Sequence, residues 1–158
     1  MEEGSDYPLY FPTETEVKET STFLIWSILT VASVFDARSY KIPNQLIILG
    51  YLAGICLNLQ SYGMIGIAYF ILKAAWPYVC LSLLYIFGKQ IGSGDIKLFS
   101  VIASVVGARI TIEIMYTSVI LAAITIMVVS VYEGQLLKRN LHYSFYITAA
   151  FFLLQCKK

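Results

Sequence analysis

Two aspartates hold the chemical promise of this chain. Asp36 opens Asp36-Ala37-Arg38, which leads to Ile42-Pro43-Asn44; Asp95 lies in Gly92-Ser93-Gly94-Asp95-Ile96-Lys97-Leu98. Each stands at the edge of an apolar segment, where a lone carboxylate is costly. Brought together, two carboxylates can share one proton, so that one draws a proton from water while the other gives one to a carbonyl oxygen. Taken singly, Asp95 is a helix cap and Asp36 a partner for Arg38. Only as a pair do they argue for chemistry.

The neighbouring residues suit that pairing. Pro43 restricts Ile42 to extended conformations, which makes 36–44 a short fixed connection between two helices. Gly92 and Gly94 allow close backbone approach and positive φ just before a new helix. Asp95 then falls near a helix N-terminus, where free N–H groups and the helix dipole favour a carboxylate. Arg38 and Lys97 either set the charge around the pair or meet lipid headgroups. Asn44 completes the first motif.

Other chemistries find little footing. His142 is the single histidine, so a histidine-built zinc site has no second imidazole. Cys56, Cys80 and Cys156 form no CxxC pair and are expected to pack as small apolar side chains. No metal or other cofactor is called for. A net charge of +1 with no basic stripe argues against nucleic acid as a partner.

The elements that must position the aspartates are set by composition. Hydrophobic residues make up 58% of the 158, charged residues 13%, and the mean hydropathy is +0.73. A soluble domain carries about 25% charged residues, so this chain is expected to be an all-α, polytopic helical bundle with membrane lipid around it. Residues 1–20 form an acidic arm, with Pro8 and Pro12 discouraging helix; residues 21–158 form the membrane-embedded domain. Uninterrupted apolarity predicts about six transmembrane helices, near 20–36, 44–60, 62–88, 95–108, 111–132 and 141–156. Gly63, Gly66 and Pro77 are the expected bend points of the third. Lys73 within it is expected to snorkel, and Tyr143, Phe145 and Tyr146 to form an aromatic belt.

The count of crossings decides whether the aspartates can meet. The 27 residues of 62–88 are too few for two spans and a turn, so two crossings separate Asp36 from Asp95 and both emerge on one face. That face carries Arg38, Lys41, Lys89, Lys97, Lys138 and Arg139, against Lys18, Arg109, Lys157 and Lys158 on the other. The excess places the aspartates on the cytoplasmic side.

A D-x-R…I-P-N segment after one helix, followed by G-x-G-D-x-K-L opening a later one, resembles the type IV prepilin peptidases, the GxGD membrane aspartic peptidases. The resemblance covers most of the chain from about Phe23. It implies Asp36 and Asp95 as the catalytic pair, supported by Arg38, Pro43, Asn44, Gly92, Gly94 and Lys97. It implies a multi-pass protein of a prokaryotic cytoplasmic (inner) membrane. Its substrate would be a pilin-like precursor protein whose leader peptide is removed at the cytoplasmic face. Larger family members carry an insert with two CxxC pairs and also methylate the new N-terminus; this chain resembles a short, peptidase-only form. Two other readings stand beside it: a proton-coupled membrane transporter, and a non-catalytic pilus or secretion assembly subunit.

Overall fold

The computed structural model describes residues 14–39, 41–88, 92–133 and 143–156. Among them are six α-helices and no strand: α1 (Glu14–Ser39), α2 (Asn44–Tyr62), α3 (Gly66–Gly88), α4 (Ser93–Val106), α5 (Ala108–Glu133) and α6 (Tyr143–Cys156). The protein is an all-α membrane bundle. Three stretches are long and apolar enough to cross a membrane: Thr15–Ser39, Asn44–Leu83 and Ala108–Val131. The second holds two helices, α2 and most of α3, folded against each other at the 3₁₀ turn Gly63–Ile65. Pro77 sits inside α3 without ending it.

Helix α1 begins earlier than the expected domain boundary. Past Pro12 nothing breaks the helix, and acidic side chains such as Glu16 suit its N-terminal end. The rest of the acidic arm, 1–13, lies outside the described residues, as do Lys89, Lys138, Arg139, His142, Lys157 and Lys158.

The outer surface is apolar, with Phe23, Leu49, Leu72, Ile86, Met127 and Val131 all exposed. In water such a surface would aggregate; in a bilayer it faces its natural solvent. The three cysteines also lie on this surface rather than in the interior. As small apolar side chains they suit lipid as readily as they would a core.

Helix α4 is the core of the bundle. All its residues from Leu98 to Val105 are buried, together with Ile96, beneath contacts from α1, α2, α3 and α5. At about 1.5 Å per residue its 14 residues measure about 21 Å, well under the roughly 30 Å of a bilayer interior. It can be that short because protein, not lipid, surrounds it. Helix α2 approaches it closely through Gly50 and Gly54. A Cβ on Gly50 would lie 2.5 Å from Val101 Cγ1, and one on Gly54 would lie 2.5 Å from Ser104 Oγ. The four-residue spacing puts both glycines on one face and lets the backbones touch.

Candidate active site

The two motifs meet at one end of the bundle. Pro43 (φ −65°, ψ 134°) caps α2 and its carbonyl accepts from the Leu46 N–H at 3.1 Å. Asn44, the first residue of α2, accepts through Oδ1 from Lys97 Nζ at 3.1 Å. Ile42 packs on Gly94, where a Cβ would stand 3.5 Å from it, an ordinary contact. The first turns of α2 and α4 are thereby tied side by side.

Asp95 is the third residue of α4. Its carboxylate reaches back to accept a hydrogen bond from the backbone N–H of Gly92, the capping residue. This is half of a capping box. Gly92 itself has φ −66° and ψ 141°, conformations open to any residue. The expected positive φ is absent there, and Gly94 is helical; positive φ among the described glycines falls at Gly63 and Gly107. Space explains the glycine instead: a Cβ on Gly92 would lie 2.8 Å from Asp95 Oδ2.

Asp36 lies in the last turn of α1, which continues to Ser39, so the connection to α2 is shorter than 36–44. Both aspartates are half-buried, and the charge of Asp36 acts directly on Asp95. Arg38 is exposed and borders an apolar groove between α1 and α6. Residues two apart on a helix point in different directions, so Arg38 does not share the face of Asp36.

Two residues at the site carry no motif. Ser144, fully buried on α6, donates from Oγ to Asp36 Oδ2 at 2.6 Å. Tyr143 packs against Phe99 at a tilt, with ring centroids 6.3 Å apart, and bonds Ser118 Oγ through its hydroxyl at 3.0 Å. It also lies within electrostatic reach of Asp95. Tyr143 thus points into the bundle, which removes it from the expected aromatic belt. The legible signal was a polar stripe: Ser33 and Asp36 share one face of α1, and Ser144 and Thr148 share one face of α6.

A family model for the type IV leader peptidases matches residues 23–131. The chain belongs to the type IV leader peptidase family. The matched segment holds both aspartates and every residue of the two motifs, and ends before α6. No curated protein and no solved structure matches the chain. A leader peptidase with an apolar exterior and several helices long enough to cross a bilayer is a multi-pass membrane peptidase.

The opposite end of this peptidase bundle is also polar. Because α4 stops at Val106, the longer helices enclose a cavity of about 600 Å³ beyond it, bordered by Lys18, Asn58, Lys73, Val105 and Glu113. Lys73 Nζ donates to Asn58 Oδ1 at 2.9 Å and lies 5.2 Å from the Tyr62 ring centroid. Asn58 in turn donates to the carbonyls of Gly54 and Ser104 at 2.7 and 2.8 Å. Lys73 therefore turns inward to a partner instead of snorkelling outward. Glu113, at the rim, pairs with Arg109 at 3.7 Å.

Proposed function

We propose that the protein removes the leader peptide of type IV pilin-like precursors, with Asp36 and Asp95 as the catalytic pair. The observation that carries this reading is their convergence: residues 59 positions apart, on α1 and α4, meet closely enough for one charge to act on the other. In the reactive form the pair holds one proton. The ionised carboxylate takes a proton from a water as its oxygen attacks the scissile carbonyl carbon, while the protonated partner donates to the carbonyl oxygen. The tetrahedral intermediate then collapses: the C–N bond breaks, the amine leaves with a proton, and the new carboxyl group forms.

The other sequence-predicted residues hold the pair in place. Gly92 leaves room for the Asp95 carboxylate and supplies its N–H; Pro43, Asn44, Gly94 and Lys97 lock α4 against α2. Arg38 stands near the mouth, where its charge meets substrate or lipid headgroup. The position of the pair at one end of the bundle supports a peptidase over a proton relay, which would place carboxylates near the membrane midplane. Lys and Arg distribution supports a cytoplasmic-facing site, and the resemblance of the two motifs to the prepilin peptidases supports a prokaryotic inner membrane.

The test is cleavage of a pilin-like precursor by the purified protein in liposomes, with Asp36→Asn and Asp95→Asn alongside. Both variants should insert and fold yet leave the precursor intact. Processing by either would end the assignment. For orientation, single cysteines replacing Ser39 and Ser93 should be labelled from one face and one replacing Ser61 from the other. Labelling of positions 39 and 93 from opposite faces would rule out a shared site.

A further inference from the structure

Helix α6 lies beyond the segment that matches the family, yet its first residue lies within electrostatic reach of Asp95 and its second bonds Asp36. Successive residues on an α-helix point about 100° apart, so adjacent positions can address two different neighbours. Ser144 turns to α1 and donates to Asp36 at 2.6 Å. Tyr143 turns to α4 and α5, against Phe99, one turn beyond Asp95, and onto Ser118.

A second rung lies behind the first. Ser33 Oγ and Thr148 Oγ1 are 2.8 Å apart, Ser33 Oγ also donates to the Ser144 carbonyl at 3.4 Å, and Thr148 Oγ1 donates to the same carbonyl at 2.9 Å. Farther along, Trp26 packs edge-on against Phe151 and Phe152 at 5.4 and 5.9 Å. These pairs run antiparallel, 36 with 144, 33 with 148, 26 with 151, so α6 cannot slide along α1 without disturbing all of them. Ser33 and Ser144 are both buried, where water cannot replace a lost partner.

We infer that Ser144 is a positioning residue of the aspartate pair: its hydroxyl fixes the direction in which the Asp36 carboxylate faces Asp95. The inference rests on the proposed catalytic role of the pair. The terminal torsion of a carboxylate is a broad and shallow coordinate. A buried donor at 2.6 Å selects one orientation. The aromatic contacts farther along α6, Trp26 with Phe151 and Phe152, hold the helix that carries the donor.

The experiment compares wild type, Ser144→Ala, Ser144→Thr, Thr148→Val and Asp36→Asn in the liposome cleavage assay, measuring kcat, KM and the pH–rate profile. Ser144→Ala should lower kcat about tenfold with KM unchanged, in line with the sensitivity of catalysis to sub-ångström misplacement. Its pH–rate profile should shift, because one member of a coupled pair has lost a hydrogen-bond partner. Ser144→Thr should restore both. Thr148→Val loosens the same helix pair but leaves the first rung, so it should keep the wild-type profile. Ser144→Ala with wild-type kcat and profile, while Asp36→Asn is inactive, overturns the inference and leaves the dyad standing. Equal losses in Ser144→Ala and Thr148→Val with unchanged profiles overturn it in favour of simple packing. Cleavage by Asp36→Asn overturns the dyad and the inference with it.

Discussion

The two ends of the bundle solve opposite problems with similar materials. At the end opposite the aspartates, one ammonium meets an amide oxygen and an aromatic face, and that amide spends its own donors on two carbonyls. Lys73 and Asn58 each have their partners. At the aspartate end, two carboxylates are set close enough to repel. A hydroxyl and a backbone N–H steady them without removing that repulsion. Polar groups that satisfy each other serve the fold; like charges held together make sense as chemistry. Under the proposed function the difference separates a structural network from a working one, although both are rare polar islands in an apolar chain.

The sharpest way to break this contrast is to neutralise each end in turn. Asp36→Asn and Asp95→Asn should each reduce precursor cleavage by about 10²–10⁴-fold or more, the scale of lost acid–base catalysis. Measuring product by mass after single turnover, with circular dichroism to confirm the fold, checks it. A variant that cleaves within tenfold of wild type would erase the distinction.

Next in size is the response to pH. Two neighbouring carboxylates hold one proton between them over a limited interval. Below it both are protonated and the base is lost; above it both are ionised and the acid is lost. The rate should therefore fall on both sides of an optimum, with limbs that belong to the pair rather than to either residue. EDTA should not change the profile. Activity lost to EDTA and restored by zinc would replace the dyad with a metallopeptidase mechanism.

A smaller effect should separate the two glycines of the second motif. Gly92→Ala puts a methyl 2.8 Å from Asp95 Oδ2 and must displace it, whereas Gly94→Ala makes only an ordinary contact with Ile42. Cleavage by the first should drop on the order of tenfold or more, and the second should stay close to wild type. Equal behaviour would mean that the carboxylate is not held where the geometry puts it.

The smallest change belongs to the lysine end. Lys73→Met leaves Asn58 Oδ1 without its partner, a cost of about 1–3 kcal/mol. Thermal unfolding in detergent should fall by a few degrees, roughly the shift such a cost produces in a chain of this size, while cleavage stays within twofold. A large loss of activity would show that the two ends are coupled.

Much of this was legible in the sequence because the membrane simplifies the code. Apolar runs predicted six helices, five of them within about four residues of their bounds, and the motifs contained both aspartates and the Asn44 and Lys97 that bond each other. What was not legible depends on contacts between distant helices. Ser144 belongs to a polar stripe with Thr148, but the stripe does not say which helix it faces until α6 is laid against α1. Lys73 has the composition of a snorkelling residue until Asn58, on the preceding helix, comes within reach. The type of residue at position 92 was predictable and its reason was not, since crowding by a side chain three residues on looks the same in sequence as a demand on φ.

The shortness of α4 bears on how the molecule meets membranes of different thickness. Lipid presses on α1, α2, α3 and α5, whose length and apolar exteriors let them tilt to match a thicker or thinner hydrocarbon layer. Helix α4 touches that layer little, and its seat on α2 is fixed by contact at Gly50 and Gly54. Mismatch is absorbed by the sleeve and does not reach the rod inside it. Asp95 rides on the rod, so its placement is referenced to protein rather than to the bilayer.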